Sequence, residues 1–434
     1  MLTNVSIFCL CKMPKQVRHD DLLTNLKFYN FDNLQNLNNL KYMSTLSQHV
    51  ILKKNEDRRI MAGHQWIFSN ELQRIVGTPK SGDVVEILRS DGRSLGIGLY
   101  NPTSLIAVRF ISPQIEEINN AFFEKKIRGA YDLRKKLFPT SETFRIVNGE
   151  SDFLPGLIID KYNEYLSIQT FSAGMDLRLS MICDVLENIF HPKGIVERNE
   201  SPLRLLEGIP LQKNLLRGSV APVVIDLNGV KFTIDILNGQ KSGFFLDQRE
   251  NRSSIKPFVN DASVLDCFSN DGGFGLYASK FGAKSVDCVD ISEDAITKAK
   301  ENAALNNLTN IQFHTADVFK FLEQSLAAEK RWDVVILDPP SFTKSKKTVA
   351  TAIKGYKEIN MHGLRLVALN GILVSASCSH HIDRDTFLNI IQESSVKAGR
   401  RIKLLHFAGA SPDHPTLPSM PETHYLKFAL FSVE

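Results

Sequence analysis

Between residues 264 and 431 short β-rich runs alternate with helical periods, and few folds accommodate that rhythm. The runs are 264–268, 285–289, 311–314, 333–337, 372–376, 402–406 and 426–431, with helical segments between the first five. Strands joined by helices form a sheet covered on both faces, so the alternation predicts a doubly wound α/β domain. One helix start is explicit: Ser292 is a good N-cap, and Glu293 and Asp294 follow where the helix dipole favours acids. Open α/β sheets bind ligands beyond the carboxyl ends of their strands. The residues that close each run are therefore the candidates for chemistry.

The first strand runs into Asp266-Cys-Phe268-Ser-Asn-Asp271-Gly272-Gly273-Phe-Gly275. Its glycines allow a tight turn and a close backbone approach to a ligand. A dinucleotide fingerprint would place phosphates at the helix N-terminus, but acidic residues here repel a pyrophosphate and suit a cation. Asp290 ends the second strand, where a carboxylate can accept both ribose hydroxyl hydrogens. Asp317 follows the third, beside Val318 and Phe319, where it can accept from an adenine amine. Each Asp alone reads equally well as a helix cap. The ordered set fits an adenosine-bearing sulfonium, S-adenosyl-L-methionine. The fourth strand ends in Asp338-Pro339-Pro340-Ser341-Phe342, and the fifth in Ser377-Cys378-Ser379, which brings a thiol to the same edge. On its own, a free Cys is more often a small core residue.

Ahead of this half, residues 1–43 are Asn-rich and unpatterned and read as a disordered leader or a mis-assigned start. Residues 48–113 carry short β runs (84–88, 95–100, 106–111) split by Gly82-Asp83, Asp91-Gly92 and Asn101-Pro102, a small β-barrel pattern. A middle α+β domain is expected over 118–234, opening with a helix at 122–138, and the third domain over 235–434. Net charge is +4, yet residues 44–136 hold 15 Lys/Arg against 10 Asp/Glu. Lys53, Lys54, Arg58 and Arg59, then Lys125, Lys126, Arg128, Arg134, Lys135 and Lys136, are candidates to neutralise phosphates, with a solvated helix face as the plain alternative. No run approaches the roughly 18 apolar residues of a membrane span. Six scattered cysteines suit a reducing compartment, so a cytoplasmic location is expected.

From about residue 235 onward the chain resembles a class I S-adenosylmethionine-dependent methyltransferase. The match of Gly63-His-Gln-Trp66-Ile-Phe68 to the start of a PUA (pseudouridine synthase and archaeosine transglycosylase) RNA-binding domain is more specific. With Ser242-Gly-Phe-Phe-Leu-Asp247-Gln248-Arg249, Asp338-Pro-Pro-Ser-Phe342 and Ser377-Cys378-Ser379, the chain resembles the bacterial 23S ribosomal RNA cytosine-5 methyltransferase family. The similarity runs from about residue 48 to the end and leaves 1–42 outside.

The resemblance implies an α/β Rossmann-like class I methyltransferase domain, preceded by a small β-barrel PUA domain and a middle α+β domain. It implies 5-methylcytosine as product, large-subunit ribosomal RNA as partner, no membrane contact, and leaves room for a homodimer. Cys378 is then the nucleophile that adds to cytosine C6, and Asp338 shares a proton with N3. Gln248 and Arg249 join Asp266, Phe268, Asp271, Gly272, Gly273, Asp290 and Asp317 at the cofactor. Pro339 and Pro340 shape the turn, Phe342 is expected to stack on the extruded base, with a core residue as the alternative, and Lys344 and Lys346 to meet phosphate, with a solvated loop as the alternative. Some cytosine-5 enzymes carry a second Cys in the Asp-Pro-Pro turn. Ser341 stands there in this chain, so the base that releases the C5 proton is unassigned, with Asp338 or a water as alternatives. Two rivals stay open: a guanine N-methyltransferase, which needs no thiol, and a non-catalytic RNA-binding ribosome assembly factor.

Overall fold

Six strands open the described part of the chain: β1 (His49–Leu52), β2 (Trp66–Phe68), β3 (Leu72–Val76), β4 (Val84–Leu88), β5 (Ser94–Tyr100) and β6 (Ile106–Ser112). They form the sheet of the small β domain, in the order β2-β6-β5-β4-β1-β3, with β2 and β3 at its ends. Val50, Leu52, Ile67, Val85, Ile87 and Val108 fill its core. This computed structural model describes residues 46–239, 243–343 and 346–434. The leader at 1–43, Lys344 and the side chain of Lys346 lie outside the described residues.

The helix Asn120–Leu137 follows, started by Asn119, whose side chain accepts from the Phe122 amide. Behind it lies a five-stranded sheet of β7 (Thr143–Asn148), β8 (Leu157–Tyr162), β9 (Tyr165–Thr170), β10 (Gly194–Asn199) and β11 (Gln212–Gly218), ordered β11-β10-β9-β8-β7. One member of the basic cluster is not available to phosphate. Arg134 is fully buried, and its guanidinium forks onto Asp152 (2.5 and 2.7 Å) and reaches the Asp413 carbonyl at 3.0 Å. It lies on the buried face of its helix with Phe123, Ile127 and Ala130, where a paired, hydrogen-bonded charge is tolerated.

A hairpin of β12 (Val223–Leu227) and β13 (Val230–Ile234) turns on Asn228-Gly229, both at positive φ (54° and 86°). Asn-Gly favours the two-residue turn that matches strand twist. Ile225, Leu227, Val230 and Phe232 share one core with Val264 and Tyr277. The hairpin packs both with the third segment and with Tyr162, Tyr165 and Val196 of the middle domain.

That segment holds β14 (Ser263–Cys267), β15 (Ser285–Asp290), β16 (Ile311–Thr315), β17 (Trp332–Leu337), β18 (Val367–Ser377), β19 (Ile402–Ala408) and β20 (Lys427–Val433). The order is β16-β15-β14-β17-β18-β20-β19. β14 to β18 run parallel, while β20 enters antiparallel to both β18 and β19. Two apolar cores cover the two faces, which is why the central strands read as nearly unbroken apolar runs. Strand order reverses between β14 and β17. That switch point is where a doubly wound sheet opens a ligand crevice.

Candidate active site

The loop leaving β14 at the switch point is strained. Phe268, Asn270 and Gly272 all take left-handed backbone (φ 62°, 47° and 86°), which costs a Phe more than a Gly. Its anchors come from β15. The Ser269 amide donates to the Val289 carbonyl at 3.1 Å, and the Asn270 amide to Asp290 Oδ2 at 2.9 Å. Asp290 Oδ1 accepts from the Ser292 amide at 2.9 Å, so this carboxylate fastens the loop to the next helix. The glycines have separate tasks. Gly272 supplies the turn, whereas a Cβ on Gly275 would sit 2.3 Å from Cys288 Sγ, so only Gly lets the helix Gly273–Lys280 lie so close to the sheet.

Asp266 lies beneath this loop, 1% exposed. Its Oδ2 accepts from the Gly275 amide at 2.7 Å, and Oδ1 meets no donor among the described residues. Burial pushes its carboxyl up to about 8, with Asp338 and Asp290 adding to the rise and the Gly275 amide and Arg252 opposing it. Asp271 is also raised by burial. Asp317 caps the helix Val318–Ala327, its Oδ1 accepting from the Lys320 amide at 3.0 Å.

Gln248 and Arg249, expected side by side at the cofactor, diverge. Gln248 Nε2 donates to Asp338 Oδ2 at 3.0 Å, while its Oε1 accepts from Asn251 Nδ2 at 2.6 Å. Arg249 turns to the middle domain instead. It donates to the Thr143 carbonyl (3.0 Å) and Ser141 Oγ (2.9 Å) and lies 4.3 Å over the Phe138 ring. The arginine beside the loop is Arg252, which the sequence reading missed. It is 4% exposed, sits 4.7 Å over Phe244, and would lie 2.9 Å from a Cβ on Gly273. Its Nε and Nη1 find no acceptor among the described residues. Its only sequence signal is the place of a second arginine three residues after Arg249.

The ends of β17 and β18 are joined by hydroxyls. Ser341 Oγ lies 3.0 Å from Ser379 Oγ, and Tyr356 OH bonds both Ser379 Oγ (2.9 Å) and Ser377 Oγ (3.0 Å). The Asp-Pro-Pro turn and the thiol turn are thus one unit. Cys378 is half-buried, whereas Cys183, Cys267 and Cys288 are buried, and burial pushes all three thiols up. Pro339 is buried and Pro340 exposed. Phe342 is half-buried and packs on Tyr356 (ring centroids 4.6 Å apart) and Phe319 (6.2 Å). Lys427, the one charge in a mostly apolar strand, was also missed; its Nζ donates to the Ser379 carbonyl at 2.6 Å.

At His380, two residues after Cys378, cavities open toward the front domains. A cavity of about 250 Å³ is lined by Phe244, Asp247, Arg145, His380 and Tyr425. Another, of about 260 Å³, shares the last three and reaches Trp66, Phe171 and Glu422. The proline-spaced stretch with Pro412, Pro415, Pro418 and Pro421 straps these parts together. Ser419 Oγ donates to the Gly63 carbonyl (2.9 Å), and the Ser411 amide to the Asp247 carbonyl (2.8 Å). Among the described residues no helix is long and apolar enough to cross a membrane.

Residues 50–113 match a PUA-like domain, and residues 215–432 match the S-adenosylmethionine-dependent methyltransferase family. The chain is 38% identical over 389 residues to the ribosomal RNA large subunit methyltransferase I of Aeromonas salmonicida, covering 88% of this chain and 98% of that protein. It is 39% identical over 386 residues to the same-named protein of Vibrio cholerae, covering 87% and 97%. Among solved structures, a SAM-dependent methyltransferase from Streptococcus mutans superposes with a TM-score of 0.76 at 20% identity, over 88% of this chain and 99% of that one. The methyltransferase SMU.776, complexed with SAH, gives 0.77 at 21%, again over 88% and 99%. At that identity both speak for the fold. S-adenosylmethionine is the cofactor of the matched family, and the chain belongs to the ribosomal RNA large subunit methyltransferase I family, a PUA-like domain joined to a Rossmann-like methyltransferase domain.

Proposed function

We propose that this protein methylates C5 of a cytosine in large-subunit ribosomal RNA through a transient bond between Cys378 and cytosine C6. The observation that carries this reading is the hydroxyl-linked pairing of the Cys378 turn with the Asp338 turn at the mouth of the acidic glycine loop. The relatives' name supplies the substrate class.

The residues at the switch point fit the cofactor. Asp290 brings negative charge to a cationic ligand, and the two unpartnered Arg252 N–H groups suit the carboxylate of its methionine end. S-adenosylmethionine supplies an electrophilic methyl group there.

Cytosine C5 is a poor nucleophile. When the Cys378 thiolate bonds to C6, the electron pair of the C5–C6 double bond moves onto C5 and makes that carbon reactive. Asp338, oriented by Gln248, shares a proton with N3 and accepts the charge that develops in the ring. After methylation, loss of the C5 proton to a base restores the double bond and expels the thiolate. Ser377, Ser379 and Tyr356 keep the thiol turn in one geometry, and Pro339 stiffens the opposing turn. Lys344 and Lys346 follow that turn in sequence and are assigned to phosphate.

The test is methyl transfer to large-subunit ribosomal RNA that lacks its modifications, followed by nucleoside analysis. 5-Methylcytosine supports the reading. A methylated guanine, formed equally well by Cys378→Ala, overturns it, and RNA binding without transfer would leave the assembly-factor reading.

A further inference from the structure

We propose that Lys427 is a positioning residue that holds Cys378 as its thiolate. The inference rests on the reading of Cys378 as the nucleophile.

Lys427 opens β20 and lies directly opposite Ser377 in the antiparallel register with β18, one residue before the thiol. It is 5% exposed. Its Nζ donates to two backbone carbonyls, Ser379 at 2.6 Å and Tyr425 at 2.8 Å. One of these belongs to the residue immediately after Cys378, so the ammonium is tethered beside the thiol. Both acceptors are neutral, and among the described residues no carboxylate forms an ion pair with Lys427. A buried cation without an anion is costly, and a neighbouring thiol is the group that can provide one.

The electrostatics agree. Burial lowers Lys427 to about 8, and the groups that oppose this are Cys378 first and Asp383 second. Asp383 is committed to capping the helix Arg384–Ala398, where its Oδ1 accepts from the Thr386 amide at 2.8 Å. Tyr356, packed below, is raised by burial and acts as a neutral hydroxyl. His380 and His381 share the thiol's own loop, and burial together with Lys427 pushes His380 toward its neutral form, against Glu422. Lys427 is thus the tethered cation facing Cys378 from the neighbouring strand. When the thiol ionises, its proton passes to water and the ammonium remains, leaving a thiolate–ammonium pair. That pair is consumed when sulfur bonds to the ring and is restored when sulfur leaves.

The experiment measures iodoacetamide alkylation of Cys378 against pH in the full chain, read by mass spectrometry of the peptide containing it. Wild type is compared with Lys427→Met and Lys427→Arg, each checked by a thermal melt. The wild-type midpoint should fall below the ordinary thiol value of about 8.5. Lys427→Met should raise it by about one to two pH units and slow alkylation at pH 7 about ten-fold, and Lys427→Arg should restore most of the effect. The acid limb of the methyl-transfer rate should move up by the same amount in Lys427→Met. An unchanged midpoint in a folded Lys427→Met overturns the proposal. If that variant does not fold, a wild-type midpoint at or above about 8.5 does so. A low, Lys427-dependent midpoint with no RNA adduct would reject the nucleophile reading and leave the pairing intact.

Discussion

Replacing Arg252 by Met should cost cofactor affinity without costing stability. The guanidinium is 4% exposed, and its Nε and Nη1 meet no acceptor among the described residues. Burial lowers its proton affinity, with Tyr277, Asp247, Asp338 and Asp266 opposing. A hydrogen bond to a charged group contributes about 1.5–3 kcal/mol, so two bonds to the cofactor carboxylate come to at least about 3 kcal/mol. At about 1.4 kcal/mol per decade, that is a Kd roughly 100-fold weaker. In the free protein the same unpartnered donors are a burden, so Arg252→Met should melt at or above wild type. Titration calorimetry with S-adenosylmethionine and its decarboxylated analogue isolates the contact. Wild type should prefer the intact cofactor by about 100-fold, and Arg252→Met should bind the two alike. Equal losses for both ligands in the variant, or no loss for either, would refute the assignment.

Asp266 gives a pH signature. Its folded carboxyl is raised to about 8 while an unfolded Asp titrates near 3.9, so the folded state keeps a proton that the unfolded state releases across that window. Stability should therefore fall as pH rises from about 4 to 8, and Asp266→Asn should flatten that slope and melt higher than wild type at pH 8. Asp290→Ala should release the loop at Asn270 and weaken cofactor binding by about ten-fold or more while RNA affinity, read by filter binding, stays within about two-fold; equal losses would place Asp290 in the folding of the domain instead. Arg134→Met should lower unfolding free energy by about 3–5 kcal/mol in a urea titration, because it strands the buried Asp152 carboxylate, and a loss below about 1 kcal/mol would contradict the buried pairing.

The catalytic half was legible because its strands are buried on both faces. Val264, Leu265, Val335, Ile336 and Leu337 are all within 1% of full burial, and such runs announce themselves between turn residues. Its candidate site residues stand out for a related reason: Asp266, Asp290, Asp338 and Cys378 lie at or just beyond the ends of those runs. The edge strand β11 escaped notice because five of its seven residues are exposed and none is buried. The Asn228-Gly229 turn was a readable hairpin signal that went unused. Side-chain direction was beyond pattern reading. Arg249 and Arg252 lie three residues apart on one short helix, yet one reaches Thr143 of the middle domain and the other the glycine loop. Arg134 looked like part of a basic face because spacing does not reveal that Asp152 and the Asp413 carbonyl converge on it. Asp317 shows the same limit, since a cap and a ligand share one sequence signature.

The central claim is that the Cys378 sulfur bonds to a cytosine ring. Incubating the protein and S-adenosylmethionine with ribosomal RNA containing 5-fluorocytosine tests it directly, since fluorine at C5 blocks the final proton loss and traps the bond. A protein–RNA adduct that survives denaturation in wild type and vanishes in Cys378→Ala is the expected result. Methyl transfer to ordinary RNA that persists in Cys378→Ala, with no trapped species in either protein, would contradict it.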